Sequence, residues 1–276
     1  MISKIKNFNN KFQHRIIDLS SSIIENPISK YFKLISKNKV LLIYEKLFGK
    51  VKSLFIKIIY YDGTVLRETE IKHIGYMVTY AHYDRNIVVA FRRSKKDYII
   101  QRYDIMNLKM EKEFFTDFEV NRILINEDRI FLFRDNEPYI YEYDHEFKFR
   151  QGIGQMNKEK KPFYIKGTIF SINNDKIYIK YENSIRILNK ESGELMCSFN
   201  VSNLKGSTTI YLDYHKEKYI VFNGYNKISY YNHKGDLLFQ NKLRENDIFD
   251  EFQYTTSGHF GFVSFFLFNF VIFLLI

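Results

Sequence analysis

Strand-like runs return along this chain at a spacing of roughly 43 residues, and a repeat of that period admits few folds. One family reads Val40-Leu41-Leu42-Ile43-Tyr44, Ile87-Val88-Val89-Ala90-Phe91, Ile130-Phe131-Leu132-Phe133, Ile177-Tyr178-Ile179-Lys180-Tyr181 and Ile220-Val221-Phe222. These runs begin 47, 43, 47 and 43 positions apart, and Phe262, in a further apolar run, lies 42 beyond Ile220. A second marker is an aromatic residue or Leu, then Asp or Asn and a short turn. It occurs as Tyr61-Asp62, Tyr103-Asp104, Tyr143-Asp144, Leu188-Asn189 and Tyr231-Asn232, with a sixth copy at Phe8-Asn9. Asp and Asn suit such a turn because their side chains bond the backbone two residues on.

Between markers the pattern is strand, turn, strand. Arg122–Ile125 followed by Ile130 onward predicts a hairpin, and so do Ile169–Ile172 with Ile177 onward and Phe32–Ile35 with Val40 onward. Four short strands per unit predict an all-β, six-bladed β-propeller of four-stranded antiparallel blades. Five units are complete, at 31–71, 74–115, 119–153, 163–199 and 207–243. Two strands from 2–17 and two from 249–265 are expected to form a sixth blade and close the ring, so that the propeller occupies 1–259. Closure removes exposed sheet edges. A larger propeller cut short is the competing reading.

Hydrophobic residues make up 45% of the chain, which supports a sizeable core and excludes wholesale disorder. The single Cys197 excludes an internal disulfide and a four-cysteine zinc site. Met1–Lys6 leads into no apolar run, so no secretory signal is expected and the cytoplasm is the expected compartment. From Phe260 to Ile276, 17 residues carry no charge, which reaches the lower limit of about 17 for a membrane span. The acidic flank (Asp247, Asp250, Glu251) argues against an anchor, and the start coincides with an expected strand. A tail anchor in an intracellular membrane is the alternative. A gene-model artefact or truncation is preferred to the anchor, because Val263-Ser264 is encodable by a splice-donor sequence and the Phe/Leu/Ile run is what a translated AT-rich intron would give.

The stretch Phe149–Leu195 resembles the repeat of NHL-type six-bladed propellers. It carries a Gly-rich inter-blade turn at Gly152-Ile153-Gly154, a strand Asn183-Ser184-Ile185-Arg186-Ile187 that is one residue longer between Asn and Arg than the family's Asn-x-Arg-Ile, and Gly193 before the last strand. The resemblance implies a propeller that binds protein or RNA, and no catalytic residues come with it. The chain has no Trp, so a Trp-Asp repeat signature is absent.

Chemistry-bearing motifs are missing as well. Gly152-Ile153-Gly154 lacks the third glycine and the helix of a dinucleotide site. There is no nucleophile elbow and no P-loop. His73 and His82 flank an inner-strand candidate, but no His-x-His or His-Glu-x-x-His spacing exists, and neither metal nor cofactor is expected. The recurring Asn9, Asp62, Asp104, Asp144, Asn189 and Asn232 occur once per unit, which marks architecture rather than one site. The chain therefore reads as a binding scaffold and not an enzyme.

Where it binds is suggested by charge. Because successive strands alternate in direction, the second-to-third-strand loops and the inter-blade loops share one face. In the first two units that face carries Lys46, Lys50, Lys52, Lys72, Arg92, Arg93, Lys95 and Lys96 against Glu45 and Asp97, a balance of +6. The 243–250 loop carries Arg244 against Glu245, Asp247 and Asp250, a balance of −2. Phe48 and Tyr98 are the aromatic residues near the basic loops. An acidic protein surface is the expected partner of this rim. RNA is the alternative, and it would need aromatic stacking between the charges.

Overall fold

β-Branched and aromatic residues fit a pleated, half-buried surface, and in the computed structural model the recurring runs are strands. The structure describes residues 14–18, 29–36, 39–48, 51–60, 63–73, 75–94, 97–126, 129–134, 139–154, 167–173, 175–201, 209–213, 218–223, 227–232, 234–242, 251–254, 260–266 and 269–275.

After β1 (His14–Asp18) come five four-stranded sheets, each assembled in chain order. The first holds β2 (Ser29–Ser36), β3 (Lys39–Phe48), β4 (Val51–Tyr60) and β5 (Val65–His73). The second holds β6 (Tyr76–Tyr83), β7 (Asn86–Ser94), β8 (Asp97–Asp104) and β9 (Met110–Thr116). The third holds β10 (Arg122–Asn126), β11 (Arg129–Phe133), β12 (Ile140–Asp144) and β13 (Phe149–Ile153). The fourth holds β14 (Thr168–Ile172), β15 (Lys176–Tyr181), β16 (Ser184–Asn189) and β17 (Leu195–Asn200). The fifth holds β18 (Thr209–Asp213), β19 (Lys218–Asn223), β20 (Lys227–Asn232) and β21 (Leu237–Lys242). The four-strand units expected from the repeat are thus four-stranded antiparallel sheets. The run beginning at Ile130 lies second in its sheet, with Ile130 opposite Ile125.

A further sheet combines β22 (Glu251–Tyr254), β23 (Phe260–Phe266) and β24 (Asn269–Leu275) with β1, in the order β1-β24-β23-β22. His14 pairs Leu275 and Asp18 pairs Val271. Where the sequence pattern divides this sheet two and two, the structure takes one strand from the N-terminal side and three from the C-terminal side. The expected strand Ile2–Phe8 lies outside the described residues. The third position belongs to Asn269–Leu275, part of the uncharged 260–276 stretch. An all-apolar run has no period-two alternation, so periodicity cannot separate a strand from a membrane segment there. Among the described residues no helix is long and apolar enough to cross a membrane.

Two compact units divide the chain: residues 72–206 with 231–237, and residues 1–71 with 207–230 and 238–276. In the first of these, β6, β10 and β14 are neighbours in that order. Strand alternation then sends side chains both ways. Ile130 and Leu132 join Val88, Ala90, Tyr98 and Ile100 on one side of the third sheet. Phe131 and Ile140 join Ile169, Ile177 and Ile179 on the other. Each fully buried aliphatic or aromatic side chain stabilises by about 1.5–3 kcal/mol relative to exposure. In the other unit β2 lies beside β22, and Leu41, Ile43, Leu54 and Ile56 are fully buried.

At the marker turns the side-chain oxygen closes the bend. Asp144 Oδ1 accepts the N–H groups of Glu146 and Lys148, both at 2.9 Å, and Oδ2 takes Arg150 Nη2 at 2.7 Å. Burial raises the Asp144 pKa, but the two N–H groups and the Arg150 guanidinium outweigh it and hold the carboxyl below its ordinary range. Asn189 Oδ1 accepts from Glu191 and Ser192, and Asn232 Oδ1 from Lys234 and Asp236. Asp104 Oδ1 does the same for Met106 and Asn107. Asn9 and Asp62 lie outside the described residues. Gly235, at φ 87°, leaves no room for a side chain, since a Cβ there would sit 2.3 Å from the Phe199 Cβ. The turn after β20 therefore packs directly on β17.

One set of contacts had no counterpart in the sequence reading. The residues two before Asp104 and Asp144 reach the turn of the following sheet. Arg102, on β8, donates to the His145 carbonyl oxygen and lies 3.7 Å from Glu146 Oε1. Glu142, at the equivalent place on β12, meets Lys190 Nζ at 3.2 Å, with both side chains almost fully buried. Arg129 Nε at 3.1 Å and Gln151 Nε2 at 2.7 Å complete the Glu142 shell. Polar staples thus join the second sheet to the third and the third to the fourth.

Candidate interaction hairpins

The sheet of β2–β5 is the tallest, with strands of 8 to 10 residues where β10–β13 have 5 each. Four extra residues lengthen a strand by roughly 13 Å. Lys46 pairs Ser53, Leu47 pairs Lys52 and Phe48 pairs Val51 at the end of the β3–β4 hairpin. Alternation puts Tyr44, Lys46 and Phe48 on one face, where they meet the β4 side chains Ser53 and Phe55. The Lys46 ammonium lies 5.4 Å from the centroid of the Phe48 ring, and Phe48 sits edge-on to Phe55. Phe55 in turn stacks on Tyr44 at 5.0 Å. Phe48 remains 49% exposed, and Leu47, pointing the other way, is 50% exposed. A cationic and apolar tip results.

Deeper in the same sheet the charge is compensated. Lys57 pairs Glu68 at 3.0 Å and Ser53 Oγ donates to Glu70 at 2.7 Å. Burial first, and then the charges of Glu68 and Glu70, push the Tyr44 hydroxyl pKa up. Glu45 is buried, Lys52 is half-buried, and Lys72 is exposed near the end of β5. Lys50 lies outside the described residues.

The β7–β8 hairpin belongs to the other unit. Arg92 is half-buried, pairs Tyr98 across the strands, and donates from Nε to the Ser94 carbonyl at 3.4 Å. Arg93 is exposed, with Nε 3.8 Å from Asp97 Oδ2. Lys95 and Lys96 lie outside the described residues. Tyr98, one of the two aromatic candidates, is fully buried and unavailable for stacking, because its ring belongs to the core between the second and third sheets. Its hydroxyl pKa is raised by burial and then by the charge of Glu119, while Arg92 opposes them.

That inter-sheet segment changes the charge balance. Asp117 and Glu119 follow β9 at the same end of the sheet as Arg92, since Thr116 pairs Tyr98. The described cations of this hairpin, Arg92 and Arg93, therefore share their end of the sheet with three carboxylates, Asp97, Asp117 and Glu119. The strand-order argument already assigns this segment to that face, so the offset was legible. Leu47 and the 62% exposed Tyr76, which pairs Arg92, are further surface groups that charge counting passed over. The 243–250 loop lies outside the described residues. Among the described residues no three His, Cys, Asp or Glu side chains converge as metal ligands would.

No family model matches the sequence, and no curated protein matches it. Solved structures do. The WD40 β-propeller domain of Doa1 aligns with a TM-score of 0.51, over 95% of this chain and 96% of that one, at 8% identity. Hsv2 of Kluyveromyces marxianus aligns with a TM-score of 0.51, over 87% of this chain and 74% of that one, at 12% identity. Likeness at such low identity concerns backbone architecture alone, and it arises here without any Trp-Asp signature. The chain has a β-propeller fold.

Proposed function

We propose that this chain is a six-bladed propeller, closed by β1 pairing with β24, that acts in the cytoplasm as a non-catalytic scaffold for a protein partner with an acidic surface. The observation that supports the reading best is the tip of the β3–β4 hairpin. There an exposed Phe48 carries the Lys46 ammonium on its ring, beside an exposed Leu47. Exposed aromatic anchors flanked by positive charge are the residue types that dominate interfaces. The Arg92–Lys96 segment adds a second, more nearly neutralised contact. The NHL-like run Phe149–Leu195 agrees with a six-bladed binding propeller.

The test uses quantitative capture of partners from a lysate, followed by titration of the recovered partner. Lys46→Glu with Phe48→Ser is expected to weaken binding by tenfold or more. The same change should lower stability by no more than about 1–2 kcal/mol, the loss of the edge-on Phe48–Phe55 contact and of the Lys46 ammonium near the ring. Charge reversal of Arg92, Arg93, Lys95 and Lys96 should mainly slow association. Lys39→Glu, at the opposite end of β3, should leave binding unchanged. Equal binding by the tip variant and this control contradicts the proposal. Recovery of RNA with a steep salt slope instead of a protein would establish the RNA alternative.

A further inference from the structure

An open cleft of about 530 Å³ lies beside the second and third sheets, lined by Asp97, Phe114, Phe115, Thr116, Asp117, Phe118 and Tyr143. Its walls are aromatic. Phe114 packs on Tyr143 at 5.2 Å between centroids and on Phe147 at 5.7 Å, and Phe118 stacks on Tyr141 at 4.4 Å. These contacts hold the rings of the two sheets in place, whereas Phe115 is 54% exposed. The two charged groups in the lining are both carboxylates, and no cation is among the lining residues. Asp117 also acts on the cleft wall. After burial, its charge is the second cause that pushes the Tyr143 hydroxyl up to about 12.

Aromatic faces carry negative potential and attract cations, most strongly when a carboxylate shares the site. A volume of this size suits a side chain with its flanking backbone. The acidic lining also stands out against a chain whose formal net charge is +10. A guanidinium already approaches from the rim, since Arg93 Nε lies 3.8 Å from Asp97 Oδ2. That pair is exposed and long, so it is readily exchanged for a ligand. We infer that this cleft receives an arginine side chain from a basic segment of a partner protein, with the guanidinium stacked on the exposed ring of Phe115 and paired with Asp117. Arginine fits better than lysine because its planar group both stacks on a ring and pairs with a carboxylate. This site is separate from the β3–β4 tip and stands or falls without it.

The experiment is fluorescence anisotropy on the full chain with a labelled peptide of alternating Gly, Ser and Arg. Companion peptides carry citrulline, the neutral isostere, or lysine in place of each arginine. The arginine peptide is expected to bind at least tenfold more tightly than the citrulline peptide, and more tightly than the lysine peptide. Phe115→Ala and Asp117→Asn, both at exposed positions, are each expected to weaken binding about tenfold with unchanged thermal melting. Arg93→Gln should tighten binding by leaving the Asp97 carboxylate of the lining uncompensated. Lys46→Glu with Phe48→Ser at the other site should leave this binding unchanged. Absence of binding at millimolar peptide overturns the inference. So does binding that Asp117→Asn weakens and Phe115→Ala does not, because diffuse charge attraction then accounts for it. Equal affinity for arginine and citrulline peptides overturns it as well.

Discussion

Replacing Glu142 by Leu is expected to destabilise the protein by about 3–5 kcal/mol, one of the largest effects of any single substitution in the molecule. Glu142 is 3% exposed, and its carboxylate is matched by Lys190, Arg129 and Gln151. Removing it strands the Lys190 ammonium, itself only 7% exposed, without its counter-ion between two sheets. The Phe131 ring, 5.9 Å from Lys190 Nζ, offers weak compensation. An unpaired buried charge costs more than the pair it came from contributes, so the remedy is to remove the partner too. Glu142→Leu combined with Lys190→Met should recover more than half of the loss. Urea unfolding followed by Tyr fluorescence gives both midpoints. A double variant as unstable as the single one would show that packing, and not the stranded charge, sets the loss.

Gly75→Ala is the second large effect, with an expected loss of about 3 kcal/mol or more. Gly75 has φ 129°, and a Cβ there would lie 2.1 Å from the Arg92 carbonyl oxygen and 2.9 Å from its carbon. The obstacle is backbone, which cannot rotate aside. Tyr76 pairs Arg92 in the β6–β7 ladder, so any relief must move the start of β6 away from the basic hairpin. Gly75→Asn separates two causes. Asn tolerates left-handed geometry but carries the same Cβ, so it should be as damaging as Ala. Thermal melting of both variants decides, and a mild Asn variant would assign the effect to φ alone.

The sequence carried the sheets because period and alternation are local signals. Ile130, Phe131 and Leu132 state their two-faced burial in their order, and Asp144 states its turn. The staples were hidden for a physical reason. Glu142 and Lys190 are 48 residues apart, and either one read alone looks like an ordinary exposed charge. The candidate site was legible in part. Strand order points to the end of the β3–β4 hairpin, but Lys46 and Phe48 lie on the paired strand β3 and not in a loop, and burial of Tyr98 depends on packing between two sheets, which no single run reveals. The cleft has the same origin, since Phe114 and Phe118 come from the second sheet's side and Tyr143 from the third.

The proposed closed scaffold requires that β1 and β24 share one sheet. The register pairs Ile17 with Ile272. Cysteines at these two positions, in a Cys197→Ser background, lie within the cross-strand distance that a disulfide spans. Oxidation of the intact chain is expected to form an intramolecular disulfide, seen as a mobility shift that a reductant reverses. A pair shifted by one residue, Ile17 with Phe273, points to opposite faces and should not form it. Cross-linking of the Ile17–Ile272 pair no greater than that of the shifted pair would contradict the shared sheet and, with it, the proposed closure of the propeller.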